Sequence, residues 1–160
     1  MSAVVVVRKV RTSQSATQSN PIMQESQQSI RVLLVDDHEH VLYGMCQLVN
    51  GERPRMTVVA TARSTKEARE ALRQHRFDVV VMDVFLGDEI SLAYLPELVE
   101  VHGAQLIVLT SLTDVSLYRQ ASQCGAKAVV QKGESGTVLL REIERVHKLS
   151  MNRGAPMAKL

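Results

Sequence analysis

Cysteine is scarce in this chain, with two among 160 residues, and Cys46 and Cys124 lie too far apart for a disulfide framework or a zinc-ligand spacing. That excludes a small disulfide-stapled domain and fits a reducing, cytoplasmic setting. Long hydrophobic runs are missing too, since no stretch approaches the roughly 18 apolar residues of a membrane span. "AVVVV" near the start is too short for a secretory signal core and is followed, not preceded, by positive charge. Nor is there an excess of one charge sign: 22% of residues are charged and the formal net charge is +2. Arg8, Lys9 and Arg11 supply positive charge near the start, where there is no acid, so the remainder is near neutral. This argues against a broad nucleic-acid surface.

What is present suits one domain with a tail. Residues 12 to 29, "TSQSATQSNPIMQESQQS", carry too little apolar surface to offset the entropy of ordering them, so residues 1 to 29 are expected to be a disordered tail. Met1 and Met23 both stand open as the start of translation. Beyond the tail, five apolar runs alternate with helical patterns: "IRVLLV" (30 to 35), "MTVVATA" (56 to 62), "DVVVMD" (78 to 83), "QLIVLT" (105 to 110) and "AKAVVQ" (126 to 131).

Between the first two runs, Val41, Leu42, Met45, Leu48 and Val49 form one apolar helical face. "STKE" from Ser64 to Glu67 is a capping box opening a second helix that turns Ala68, Ala71 and Leu72 inward. In the third helix, Pro96 either sits at the start or kinks the helix. A fourth is expected over about 114 to 124, stopping at Gly125. A fifth starts near Ser135 and buries Leu139, Leu140, Ile143, Val146 and Leu149. The domain should then cover residues 30 to 150, with 151 to 160 as a tail or linker. Strongly β-branched strands separated by crossover helices define an α/β fold with a parallel, doubly wound sheet. Ligands bind such sheets outside the carboxyl ends of the strands.

At that rim the sequence places Asp36 and Asp37 after the first strand, Asp83 at the end of the third, Thr110 at the end of the fourth and Lys132 after the fifth. Each alone has a plainer reading. Asp36, Asp37 and Asp83 can be turn or cap residues, Thr110 a helix cap, and Lys132 solvated surface. Together they suggest a site. Three neighbouring carboxylates repel unless a cation sits among them. Mg2+ suits hard oxygen ligands and shares its shell with phosphate. A hydroxyl and a mobile ammonium suit phosphoryl oxygens.

"LLVDDH", "VVVMDVFLGD", "IVLTS" and "CGAKAVVQKG" resemble the receiver domains of bacterial two-component response regulators, from about Ile30 to Leu149. "DDH" and "QKGES" look most like the NarL-like subgroup of LuxR/FixJ type, whose receivers usually precede a helix-turn-helix. The resemblance implies a flavodoxin-like sheet of strand order 2-1-3-4-5 with five helices. It also implies that Asp83 accepts a phosphoryl group from a sensor histidine kinase or a phosphotransfer protein. Asp37, Asp83 and the backbone carbonyl of Phe85 would bind Mg2+ directly, and Asp36 through water. Lys132 would contact the phosphoryl group and Thr110 would move to hydrogen-bond it.

Two positions depart from the family. Val129 replaces an aromatic switch residue that swings inward when the threonine moves. Gly87, followed by "DEISLAY", stands where family members often carry proline, so that loop should be shaped differently. Three functions stay open: a phosphoacceptor switch, the receiver part of a transcription regulator, and a non-phosphorylated adaptor. "MNRGAPMAKL" is too short for a helix-turn-helix, so direct nucleic-acid binding by this chain alone is not expected, nor membrane binding; self-association to a homodimer stays open. A magnesium phosphatase of another α/β family usually has a second acid where Phe85 stands, so no enzyme acting on an external substrate is expected. His38 is given no role beyond helix entry. Cys124 and most of the seven methionines are assigned to packing.

Overall fold

The computed structural model describes residues 28 to 153. The expected N-terminal tail up to residue 27, "AVVVV" with it, and residues 154 to 160 lie outside the described residues. β1 (Ile30–Val35), β2 (Met56–Ala62), β3 (Val79–Asp83), β6 (Gln105–Thr110) and β7 (Ala128–Gln131) form one sheet of order β2-β1-β3-β6-β7. Every pairing in it is parallel. This is the expected doubly wound order, renumbered because two short strands, β4 (Phe85–Leu86) and β5 (Glu89–Ile90), pair antiparallel outside the main sheet.

Successive side chains of a strand face opposite ways, and here each face has its own core. Leu33, Val35, Val80, Met82, Leu106 and Val108 pack on one side against α2 (Thr65–Gln74), α3 (Leu95–His102) and α4 (Val115–Gln123). Val32, Leu34, Val79, Val81, Ile107 and Leu109 pack on the other against α1 (Glu39–Asn50) and α5 (Gly136–Arg153). Burying an aliphatic side chain of this size contributes about 1.5–3 kcal/mol. The two apolar layers therefore hold the strand ends, and the polar residues on them, in fixed register.

Helix boundaries follow local chemistry. Ser64 Oγ accepts from the backbone N–H of Glu67 at 3.1 Å, half of the expected capping box. The Glu67 carboxylate reaches back to the N–H of Arg63, one residue further than the box requires. Of the two alternatives for Pro96, the first holds: α3 begins at Leu95, with proline in its first turn, where a missing N–H costs little. Asp114 caps α4 by accepting from Ser116 N–H at 2.8 Å, and Gly125 follows at φ 101°.

Two expectations are corrected at α5. Leu149 is 45% exposed, because the helix has by then run past the sheet that would cover it. The helix also continues through Arg153, so the expected start of a tail at residue 151 falls inside it.

Candidate functional site

β1 and β3 are neighbours in the sheet, with Val35 opposite Met82. Asp36 and Asp37 just beyond β1 are therefore brought beside Asp83 at the end of β3. Among the described residues, Asp36, Asp37, His38 and Asp83 offer ligand atoms all within 4.8 Å of one another. Asp36 is fully buried and Asp83 nearly so. Lys132, just beyond β7, sends Nζ across the rim to 2.7 Å from Asp36 Oδ2 and 2.6 Å from Asp83 Oδ2. Its bond to Asp83 is a hydrogen bond, while it meets Asp36 as a charge pair off the hydrogen-bond direction.

The site's electrostatics are those of charges withdrawn from water. Burial pushes the Asp83 carboxyl above the usual carboxylate range, with the Asp36 charge adding to it and Lys132 and the Phe85 N–H opposing. Burial alone would lower the Lys132 ammonium. Its close pairing with Asp36 and its hydrogen bond and charge pairing with Asp83 outweigh burial and hold it above its ordinary value.

Thr110 ends β6, fully buried, and its Oγ1 accepts from Leu112 N–H at 2.9 Å. Lys132 N–H donates to the Thr110 carbonyl at 2.9 Å. The loop after β6 and the lysine are thus joined through one residue. Phe85 opens β4, and its N–H donates to Asp83 Oδ1 at 3.3 Å. Asp36, Asp37, Asp83 and Lys132 are brought together with the Phe85 N–H, and Thr110 adjoins them through its carbonyl's bond to the Lys132 N–H.

Three participants were not foreseen. Ser91, fully buried, donates from Oγ to the Asp83 carbonyl at 2.6 Å, fastening the segment after the hairpin to the acid's own backbone. The hairpin turn Gly87–Asp88 has φ 60° at Gly87 and no positive φ at Asp88, the pattern of a type II′ turn. Its Gly87 N–H donates to Asp37 Oδ2 at 3.1 Å. His38 opens α1 as expected, but its Nδ1 also lies 3.2 Å from Asp36 Oδ1 and 2.9 Å from Asp37 Oδ1. Gly-Asp between short β-prone pairs was a hairpin signal. Nothing in the local pattern marked Ser91.

The donor set fits a hard divalent cation. Asp37 Oδ1 is buried and accepts no well-directed hydrogen bond, the His38 Nδ1 2.9 Å away lying off that direction, an arrangement that costs free energy unless a positive group completes it. All three acids supply carboxylate oxygen, the ligand type that Mg2+ and similar ions prefer. The acid cluster can hold such a metal.

A doubly wound sheet carrying acids and an ammonium at its carboxyl rim defines a class of domain suited to handling phosphoryl groups. The chain belongs to the response regulator receiver domain family of two-component systems, which it matches over residues 32 to 144. It is 35% identical over 111 residues to a protein-glutamate methylesterase/protein-glutamine glutaminase of Paraburkholderia xenovorans, across 68% of this chain and 30% of that protein. It is also 35% identical over 137 residues to the DNA-binding transcriptional activator DevR/DosR of Mycobacterium tuberculosis, across 82% of this chain and 63% of that protein. Among solved structures, a LuxR-family two-component response regulator from Aurantimonas sp. SI85-9A1 superposes with a TM-score of 0.70 at 29% identity. That match covers 75% of this chain and 86% of the other. The chain therefore spans less than two thirds of the length of these two curated relatives. No helix among the described residues is long and apolar enough to cross a membrane.

Proposed function

We propose that this chain is a cytoplasmic phosphoacceptor switch, in which Asp83 takes a phosphoryl group from the phosphohistidine of a sensor histidine kinase or a phosphotransfer protein. The observation that carries the reading is the bridging Lys132 ammonium, 2.7 Å from Asp36 and 2.6 Å from Asp83, in a cluster of three acids whose ligand oxygens lie within 4.8 Å of one another. A carboxylate oxygen of Asp83 forms the new bond to phosphorus as the phosphorus–nitrogen bond to the histidine breaks, leaving the imidazole as leaving group. Such a transfer demands positioning and charge neutralisation more than covalent assistance. Ser91 and the Phe85 N–H fix the acceptor's backbone and carboxylate. Lys132 shifts from carboxylate to phosphoryl oxygen, and the Thr110 hydroxyl donates to another.

Asp37, Asp83 and the Phe85 carbonyl would hold Mg2+ directly, with Asp36 acting through water; the ion, when bound, neutralises charge on the phosphoryl oxygens. The added charge of roughly −1.5 to −2 then alters what the surface binds. In this reading the chain is a substrate and a switch, not an enzyme acting on an external molecule. The finer placement with LuxR/NarL-type receivers is supported by the likeness to the LuxR-family response regulator from Aurantimonas, at 29% identity. The downstream target follows from whichever output the receiver serves.

Incubation with acetyl phosphate tests this by intact mass. Wild type should gain one phosphoryl group with Mg2+ and none in excess chelator, and Asp83→Asn should gain none in either. Equal uptake by Asp83→Asn, or by wild type without metal, would overturn it.

A further inference from the structure

At the opposite end of the strands from Asp83, four segments converge on an open cavity of about 620 Å³. Arg31 comes from the start of β1, Arg73 and His75 from the end of α2, Arg76 from the loop before β3, and His102 from the end of α3. Asp78 is the single acid in the lining, and one of its oxygens is already taken by the N–H of Arg31 at 2.8 Å. Asp78 and Asp83 bracket the length of β3, so cavity and acceptor lie roughly 17 Å apart at about 3.3 Å per residue. The cavity is thus separate from the phosphoryl site, at the end of the strands where a doubly wound fold does not ordinarily bind ligands.

The plainer account of such a cluster is that cations complement the negative end of a helix. It covers Arg73, which also pairs with Glu70 at 3.2 Å, and His75, which follows the last turn of α2. It covers His102 too, in the last turn of α3, but not Arg31, which belongs to a strand, or Arg76, which lies in the loop before β3. Arg31 and Arg76 have no acidic side-chain partner among the described residues. Planar guanidinium groups in one cavity are matched to phosphate oxygens, which they bind in bidentate fashion.

We propose that this cavity is a second binding site, for a small molecule bearing a diphosphate group, held by Arg31 and Arg76 with His102 in the same lining. Phe77 and Leu72, both buried, form an apolar floor beneath the cations. Against the five basic side chains of the lining stands one carboxylate, Asp78, with one oxygen already engaged by the Arg31 N–H.

The experiment uses pyrophosphate as the probe, without divalent metal so that the acid site does not compete, at constant ionic strength. Amide chemical shifts of the full chain are followed by NMR. Saturable shifts confined to residues 28 to 31, 73 to 78 and 102 are expected, together with at least about tenfold weaker binding in the double variant Arg31→Gln/Arg76→Gln. The single variants Arg31→Gln and Arg76→Gln, each expected to weaken binding severalfold, keep the test decisive if the double variant is unstable. Unsaturable shifts spread over all basic residues, or affinity unchanged in the variants, would overturn the proposal.

Discussion

Replacing Lys132 with methionine keeps the apolar stem and removes the ammonium that touches both Asp36 and Asp83. The side chains of those acids are 0% and 6% exposed and that of the lysine 19%, so the variant leaves two buried carboxylates with no counter-charge. Removing one partner of a buried pair costs about 3–5 kcal/mol. Because Lys132 keeps some contact with water and Asp83 can take up a proton, the low end applies, about 3 kcal/mol in mildly alkaline solution. The pH dependence has a definite sign. Burial already raises Asp83 and Lys132 opposes that rise, so the variant's Asp83 stands higher still. An acid whose folded pKa exceeds its unfolded value, about 3.9, contributes stability that is complete below that value and lost as pH rises through the folded pKa. The variant's deficit should therefore be widest at about pH 8 and shrink toward about pH 5. Urea unfolding followed by circular dichroism, in chelator at both pH values, reads this directly. Mg2+ should then narrow the alkaline deficit, because the variant's acids bind it without competition from the ammonium and binding stabilises the folded state. A deficit below about 1 kcal/mol at alkaline pH, or one that does not shrink on acidification, would refute the reasoning.

Ser91→Ala removes the hydroxyl donor to the Asp83 carbonyl. It should cost about 1–2 kcal/mol in urea unfolding and slow phosphoryl uptake from acetyl phosphate, and an unchanged rate would separate the hairpin segment from the acceptor. Gly87→Val puts a β-branched residue at φ 60° and should cost about 1–2 kcal/mol, with Mg2+ affinity altered because the Gly87 N–H engages Asp37. Beryllofluoride, a phosphoryl mimic, should shift the amides of residues 111 to 115 most, with residues 128 to 131 nearly still because Val129 has one stiff torsion and little volume to report the movement of Thr110. Large shifts across all of β7 would contradict that. Tyr118 on α4 receives a hydrogen bond from Gln131 Nε2 at 2.9 Å, so Gln131 is where any β7 response should concentrate.

The parallel sheet could be inferred from the sequence because its strands are buried on both faces and therefore appear as β-branched runs. β1, β2 and β6 match the expected bounds residue for residue. The rim constellation was equally apparent, since strand ends in such a sheet share one edge and the five polar residues fall there. The hairpin after Asp83 was not seen as such. Its strands have two residues each, too short for any periodicity, and only the glycine in place of proline warned of a different loop. Leu149 failed because helical periodicity says which face is apolar, not where the neighbouring sheet stops. Ser91 and His38 acquire their contacts with the acids only from the folded path of the hairpin and the entry to α1.

The measurement that tests the central claim most directly is chemical trapping of the phosphorylated residue. Protein treated with acetyl phosphate and Mg2+ is reduced with borohydride, which converts an aspartyl phosphate to homoserine, and its peptides are sequenced by mass spectrometry. The account predicts homoserine at position 83 and at no other aspartate. Homoserine at Asp36 or Asp37, or phosphate recovered on Ser91, Thr110 or His38 instead, would contradict it.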